Sequence, residues 1–353
     1  MMRFKMSKFN RICEIFLLCN LAAFTAFADR GAFDLERWDT VLNDIRTSAA
    51  QQNISKSVID ETLKTPMFIP GIVKSDKNQK EFTLTLDEYL KSTVSSERIK
   101  QGRQKRAQYP TLLTHVENKF GIPRNVILAF WGMESNYGKV KSRYQLTDSF
   151  ITLIYEGRRA EFFSKQLLSL MKIADKNKLH ITDIHGSWAG AMGHFQFIPT
   201  TLAQYGIDGN SDGRVDIINS IGDAMYSAGN YLNKLGWNKN ERIVRRVVLP
   251  ADFDRAMLNG DVKKSLNEWS ELGVTNPDGS PIPSSDMIAG LVADTKSIAK
   301  QDLFQTPDTP DSDVAPKPVI NAYLTYPNFY RIKKWNNSSW YAIAIAELSD
   351  KLK

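Results

Sequence analysis

Apolar residues recur three and four positions apart over most of the chain, and this spacing predicts helices. Residues 82–107 carry Tyr89 and Leu90 as apolar anchors but show no clear period. The other segments with helical spacing are 34–66 (two helices), 110–120, the stretch that follows Pro123, 159–178 and 221–235.

The pattern changes after Trp237. Short apolar runs at 247–250 and 323–326 are typical of strands. An Asn-Pro-Asp-Gly turn signal lies between them, and the Pro- and Asp-rich residues 305–318 predict a loop. Residues 340–352 then predict a closing helix. The expected fold is mainly α, with a small β portion near the C-terminus.

Glu134 departs from this pattern. It ends an apolar run that begins at Val126, and Ile127, Phe130 and Trp131 precede it by seven, four and three residues. These residues share one helix face. A carboxylate on an apolar face is costly unless it is paired or protonated, and a Glu protonated near neutral pH can act as a general acid. The alternative is that its side chain turns to solvent at the helix end.

The first residues do not belong to the globular part. Four basic residues precede an apolar stretch at 12–27, and Ala26 and Ala28 offer small side chains at the two positions that a signal peptidase recognises. We therefore predict a signal peptide at 1–28, with Asp29 as the first mature residue. The expected location is the periplasm.

Membrane anchoring through the leader is the alternative. The apolar stretch is short for a membrane span, and it contains Glu14. A lipid anchor at Cys19 is not favoured, because the preceding Leu18 is bulky where lipoprotein processing requires a small residue. Cys13 and Cys19 are the two cysteines of the chain, so the mature protein would have neither disulfides nor thiolate chemistry.

The length, composition and net charge of the chain restrict the kinds of partner it can bind. The chain has 353 residues, of which 42% are hydrophobic, and a net charge of +7. Its leader holds four basic residues and one acid, which leaves a net charge of +4. This charge suits an anionic polymer such as a bacterial cell wall, and without a basic stripe it does not indicate nucleic acid. No exposed apolar heptad indicates more than a monomer.

A glycine-rich segment at 186–199 is the second candidate for chemistry. Glycine lets the backbone approach a ligand closely, and aromatic rings offer flat faces to sugars. Gln196 could hydrogen-bond a sugar or orient a catalytic carboxyl. The alternative is that the glycines serve tight packing.

A third segment, 208–219, has the spacing of a twelve-residue calcium loop. Gly213 stands at position six, where such a loop turns sharply, and Asn219 replaces the usual Glu at position twelve. The sequence predicts a weak structural calcium site or a calcium-shaped loop that stays empty. The expected ligands are Asp208, Asn210, Asp212, Arg214 through its backbone carbonyl, and Asp216.

The fourth segment, 327–341, is dense in aromatic side chains among amides and cations. This composition is typical of a carbohydrate-binding surface. An aromatic core layer beside a surface turn is the alternative.

In this order, residues 131–138 and the three later segments resemble the membrane-bound lytic murein transglycosylase B family. The resemblance extends from about Asp34 to Leu352. It implies a lysozyme-like helical core and cleavage of the β-1,4 bond between N-acetylmuramic acid and N-acetylglucosamine. Peptidoglycan glycan strands are the implied partner, and proteins of wall synthesis are a further class that the sequence does not specify.

The resemblance also implies roles for individual residues. The family's catalytic glutamate falls on Glu134. Trp335 replaces the tyrosine of better-known members, so we expect the hydrogen bond there to be lost and ring stacking to survive. The implied substrate-binding residues are Ser187, Gln196, Tyr231, Asn336, Tyr341 and Trp335.

Most glycosidases use two carboxylates, but no second acidic residue near Glu134 in the sequence has the features of a catalytic group. Glu156, Glu161 and Asp183 stand in polar contexts. A single glutamate suffices if the muramic C6 hydroxyl is the nucleophile, which gives 1,6-anhydromuramoyl ends without a catalytic cofactor. A lysozyme-type hydrolase and a non-catalytic peptidoglycan-binding protein are the alternatives.

The expected organisation has four parts. A signal peptide at 1–28 precedes an N-terminal helical region at 29–110. The lysozyme-like core with its calcium-type loop follows at 111–245. The last part, 246–353, holds the small β portion, the loop at 305–318 and the closing helix.

Overall fold

The computed structural model describes residues 33–77, 84–140, 142–295, 298 and 319–353. The predicted leader with both cysteines and the predicted loop at 305–318 lie outside the described residues. Within them, no helix is both long and apolar enough to cross a membrane.

Four of the first five helices begin at side-chain caps. Asp34 and Ser55 accept hydrogen bonds from the backbone of the first turns that follow them. Thr85 and Glu88 form a capping box, and Ser95 caps the next helix. These caps define two helices within 82–107, where apolar spacing was not informative. The five helices are α1 Leu35–Gln51, α2 Lys56–Thr62, α3 Pro70–Lys77, α4 Leu86–Thr93 and α5 Ser96–Gln108.

Six further helices form the middle of the molecule. Residues 126–132 of α7 are all buried, because α5, α6, α11 and the last helix of the chain pack around it. A two-residue strand pair, β1 Tyr144–Gln145 with β2 His185–Gly186, holds the glycine-rich segment beside the helices. The helices are α6 Pro110–Phe120, α7 Arg124–Ser135, α8 Leu146–Glu156, α9 Ala160–Asn177, α10 Pro199–Tyr205 and α11 Ile221–Lys234.

The β portion is an antiparallel sheet with the strand order β3-β6-β5-β4. The two strands predicted from sequence, now β3 and β6, pair with each other, and Val247 stands opposite Ala322. The elements are β3 Val244–Pro250, β4 Lys264–Ser265, α12 Leu266–Glu271, β5 Ile288–Ala293, β6 Val319–Thr325, α13 Pro327–Trp335 and α14 Ser339–Lys351.

The described residues form two hydrophobic cores. The sheet and α12 enclose the smaller core, in which Trp269 is fully buried. The larger core includes the middle helices, and α13 and α14 return to it after the sheet. The last helices therefore lie beside α7, which is the contact that builds the candidate site.

The predicted mainly helical fold with a small β portion is confirmed. The proposed division of the chain at 110/111 and 245/246 stays a prediction.

Candidate active site

Helix α7 ends immediately after Glu134. Asn136 and Tyr137 adopt left-handed backbone angles, with φ of +49° and +59°. Their N–H groups bond the carbonyls of Gly132 and Trp131 at 3.1 and 3.2 Å. This C-terminal cap satisfies the last carbonyls of the helix and places Glu134 in its final turn.

The carboxyl of Glu134 is bound by two residues of the C-terminal segment. The indole Nε1–H of Trp335 donates to Oε1 at 3.0 Å. The hydroxyl of Tyr341 donates a short hydrogen bond to the same oxygen. Although Glu134 is partly accessible, these two hydrogen bonds hold its carboxyl in place, so the side chain does not turn freely into solvent at the helix end.

Burial raises the pKa of Glu134 to about 7. The two hydrogen bonds act in the opposite direction, because they stabilise the ionised form, but desolvation is the larger effect. A large part of the Glu134 population therefore carries a proton near neutral pH. This is the state that a general acid requires.

No second carboxylate contributes to the pKa of Glu134 among the described residues. The neighbouring titratable groups are phenols. Burial and the charge of Glu134 both raise the pKa values of Tyr89 and Tyr341, so both stay neutral. The site thus has one carboxyl in a desolvated, aromatic environment.

Trp335 lies at the centre of this aromatic environment. Its ring centroid is 4.7 Å from that of Phe130, 4.9 Å from that of Tyr231 and 5.3 Å from that of Phe197. The expectation that Trp335 makes no hydrogen bond is wrong, because its indole N–H donates to Glu134. Tyr231 also stacks on Tyr205, with centroids 4.5 Å apart.

Hydrogen bonds connect the glycine-rich segment to α7. Ser135 Oγ donates to the carbonyl of His194 at 2.7 Å and accepts from the Gly138 N–H at 2.9 Å. The indole of Trp131 donates to His194 Nδ1 at 3.0 Å. Burial lowers the pKa of His194, so it is a neutral acceptor. These contacts fix the segment beside the helix that carries Glu134.

Packing accounts for the glycines of this segment. A Cβ on Gly190 would lie 2.2 Å from the Phe150 ring, and one on Gly193 would lie 2.5 Å from the carbonyl oxygen of Ile217. Both glycines also have positive φ, +92° and +72°. Tight packing therefore explains these two glycines, and close approach to a ligand is not needed to explain them.

Three predicted substrate-binding residues make no hydrogen bond to the Glu134 carboxyl among the described residues. Ser187 Oγ accepts from the Ala191 N–H at 3.0 Å, and Gln196 donates to the Gly193 carbonyl at 2.9 Å. Asn336 is exposed between α13 and α14. None of their side chains forms a hydrogen bond to Glu134 in the part of the chain that the structure describes. Their roles stay predictions, whereas Trp335 and Tyr341 contact Glu134 and Tyr231 contacts Trp335.

The loop at 208–219 turns at its sixth position, which Gly213 occupies. Gly213 has φ of +88°, and the side-chain oxygens of Asp208 and Asn210 converge on the N–H of Asp212. However, Asn219 donates its amide to Asp216 instead of supplying a charged ligand. No group of three or more acidic, His or Cys side chains is placed to hold a metal ion within the described ranges. The donor set fits a tight calcium site poorly.

Weak calcium binding at this loop therefore stays a prediction. Millimolar calcium should raise the melting temperature relative to EGTA, because an ion at about tenfold its Kd stabilises the folded state by roughly 1.4 kcal/mol. The Asp212→Asn variant should lose this response, and magnesium serves as the control. An unchanged melting temperature of the wild type would show a loop that binds no calcium.

Glu134 does not line either of two surface cavities. Its contacts and its raised pKa identify it as the candidate centre. The first cavity, of about 340 Å³, lies between the sheet and the start of α14; the second, of about 320 Å³, is lined by Arg103, Arg106, Ala107, Pro110, Leu113 and Arg124.

Sequence reasoning did not assign several residues that shape the site. The sequence pattern marks Tyr89 only as an apolar anchor, and it assigns no role to Tyr205. Asp223 is fully buried and accepts hydrogen bonds from the backbone of Gly209, Asn210 and Asp216, so it organises the calcium-type loop. No local pattern predicts these roles, because each depends on contacts between separate elements.

Known proteins resemble this chain in sequence. The Transglycosylase SLT domain family matches residues 37–350. Membrane-bound lytic murein transglycosylase B of Escherichia coli (strain K12) is 26% identical over 262 residues, which cover 74% of this chain and 65% of that protein.

Solved structures are similar in fold. SltB3 from Pseudomonas aeruginosa, in complex with NAG-anhNAM-pentapeptide, has a TM-score of 0.78 and 35% identity, over 89% of this chain and 79% of that one. The Escherichia coli lytic transglycosylase Slt35, in complex with calcium, has a TM-score of 0.71 and 23% identity, over 92% and 94% of the two chains. These matches confirm the expected lysozyme-like helical fold. The match over 37–350 and the likeness to SltB3 show that the chain belongs to the Transglycosylase SLT domain family.

Proposed function

We propose that this chain is a lytic transglycosylase that cleaves the β-1,4 bond between N-acetylmuramic acid and N-acetylglucosamine in peptidoglycan. The product is a 1,6-anhydromuramoyl end. Family membership supports the reaction class. Among the solved relatives, SltB3 has been captured with NAG-anhNAM-pentapeptide and with NAG-NAM-pentapeptide. The proposed location is the periplasm, where glycan strands are the partner.

One observation carries the mechanism. Glu134 is desolvated and has a pKa raised to about 7, and no second described carboxylate contributes to that pKa. A hydrolase of the usual type needs a second carboxylate as a base or nucleophile. A lone carboxyl favours a reaction in which the substrate itself supplies the nucleophile.

The reaction then proceeds by two proton transfers through Glu134. Protonated Glu134 donates its proton to the glycosidic oxygen as the bond from this oxygen to muramic C1 breaks. The N-acetyl group of muramic acid assists as the bond breaks. The C6 hydroxyl oxygen of the same sugar attacks C1, and ionised Glu134 accepts the hydroxyl proton. No water is consumed, and Glu134 returns to its starting state. Proximity favours an intramolecular nucleophile strongly.

Mass spectrometry of digested murein sacculi tests the reaction. We expect muropeptides with anhydro ends, lighter by one water than the corresponding reducing ends. Hydrated reducing ends would instead identify a lysozyme-type hydrolase. A protein that binds sacculi without releasing fragments would be a peptidoglycan-binding module.

The pH dependence gives a second test. Because protonated Glu134 is required, kcat/KM should be level below pH 6 and should fall about tenfold per unit above its pKa of about 7. A separate catalytic base would add an acidic limb and give a bell-shaped profile. Initial rates on purified glycan strands, corrected for the folded fraction at each pH, distinguish the two profiles.

A further inference from the structure

We propose that Trp335 is a positioning residue, whose indole N–H acts with the Tyr341 hydroxyl to occupy Oε1 of Glu134 and to leave the reactive proton on Oε2. This inference rests on the proposed function, and it changes the role of Trp335. The family resemblance implied a substrate-binding residue at this position. The contacts of the side chain indicate a role that acts through Glu134.

Both donors bind the same one of the two carboxyl oxygens of Glu134. Trp335 Nε1–H donates to Oε1 at 3.0 Å, and Tyr341 donates to the same atom. An indole nitrogen can only donate, so Oε1 must accept. In a protonated carboxyl the carbonyl oxygen is the better acceptor, so two donors on Oε1 favour the hydroxyl form at Oε2. No described residue forms a hydrogen bond with Oε2.

Three aromatic rings surround the indole of Trp335. Phe130, Tyr231 and Phe197 contact it with ring centroids 4.7, 4.9 and 5.3 Å away. These rings hold the indole in the orientation that directs its N–H at Glu134. They also occupy ring surface that a stacked sugar would need. The packing therefore suits a fixed hydrogen-bond donor better than a stacking surface for substrate.

Negative charge develops on the Glu134 carboxyl during the proposed reaction. Glu134 becomes ionised when its proton leaves, and hydrogen bonds to a charged acceptor are stronger than those to a neutral one. The two donors on Oε1 therefore stabilise the ionised carboxylate, which must later accept the C6 hydroxyl proton. They act on the acid during turnover and not on substrate binding.

The other titratable groups around Glu134 do not change charge in the relevant range. Tyr341 on α14, Tyr89 on α4 and Tyr231 on α11 are phenols whose pKa values burial raises. Arg98 on α5 lowers the pKa of Tyr89, and its guanidinium stays charged near neutrality although burial lowers its own pKa. A pH-dependent change near neutrality therefore reports on Glu134.

The Trp335→Phe variant tests this role, because it keeps a ring and removes the donor. Loss of one hydrogen bond to the ionised carboxylate should move the alkaline limb of kcat/KM up by about one pH unit. It should also lower kcat about tenfold while KM stays within about twofold. The Trp335→Tyr variant carries a hydroxyl donor and should restore both values. NMR titration of the ¹³C-labelled Glu134 carboxyl measures the same shift without substrate.

Trp237→Phe is the matched control, because the buried indole N–H of Trp237 has no hydrogen-bond partner in the described part of the chain. Its pH profile should equal that of the wild type. An increase in KM for Trp335→Phe with an unmoved alkaline limb would assign Trp335 to substrate stacking and overturn the inference. An unchanged carboxyl titration in folded Trp335→Phe would also overturn it. Neither result contradicts the proposed reaction. That reaction is tested separately, by whether the wild type forms anhydro ends.

Discussion

The Glu134→Gln variant should lose turnover by at least about 10⁴-fold, because general acid and general base catalysis each contribute roughly 10²–10⁴-fold and one residue supplies both. Gln keeps the carbonyl oxygen that Trp335 and Tyr341 contact, so the site should stay assembled. Release of muropeptides from sacculi measures turnover. Sedimentation of the protein with sacculi measures binding, which should be retained.

The same substitution should change stability in a pH-dependent way. The pKa of Glu134 is about 7 in the folded protein, against an ordinary value of 4.5. Between these values the folded state binds more protons than the unfolded state, so the stability of the wild type falls as pH rises from 4.5 to 7. The wild type should lose roughly 3 kcal/mol of its free energy of unfolding over this pH range, and the Gln variant should not. Urea unfolding at pH 4.5 and pH 8 should show it.

Glu161→Gln is the control for both measurements. Glu161 is an exposed residue paired with Lys165, and its side chain is 85% accessible. It should retain wild-type turnover and show no gain in stability at pH 8. Wild-type turnover by Glu134→Gln would remove this residue from the mechanism.

The Gly190→Ala variant should have the largest effect on stability. Its backbone φ of +92° disfavours any L side chain, and its Cβ would lie 2.2 Å from the ring of the fully buried Phe150. Left-handed strain contributes roughly 1–2 kcal/mol, and overpacking adds about 1–3 kcal/mol. Urea titration should therefore show a free energy of unfolding that is lower by the sum of these two contributions.

Gly279→Ala separates these two effects. Gly279 has φ of +81° and no neighbouring atom within 4 Å of the added Cβ. It should lose only the roughly 1–2 kcal/mol of backbone strain. Adding Phe150→Leu should reduce the cost of Gly190→Ala, because a smaller side chain relieves the contact. Equal losses at Gly190 and Gly279 would exclude the steric effect.

Much of the fold followed from local patterns. The helices that became α1, α2, α6, α7, α9, α11 and α14 were predicted from apolar spacing, because a buried helix face imposes that period on its residues. Apolar spacing did not resolve α4 and α5. Their starts depend on caps such as Thr85 and Ser95, which a pattern of apolar positions does not contain.

The candidate site was predictable only in part. Glu134 was identified because a carboxylate on an apolar face violates the pattern around it. The donor role of Trp335 was not, because its partner lies 201 residues earlier in the chain. The expectation of a lost hydrogen bond treated the hydroxyl as the only possible donor at that position, whereas the indole nitrogen of Trp335 also donates, to Oε1 of Glu134.

The sequence alone thus determined the helical class, the family motifs and the identity of the candidate acid, because these depend on residue type and on spacing within single segments. Only the tertiary structure decided how α13 and α14 meet α7. That contact surrounds the carboxyl with rings and places two donors on one of its oxygens. A carboxyl's pKa depends on the water and dipoles around it, and distant parts of the chain set those by packing together.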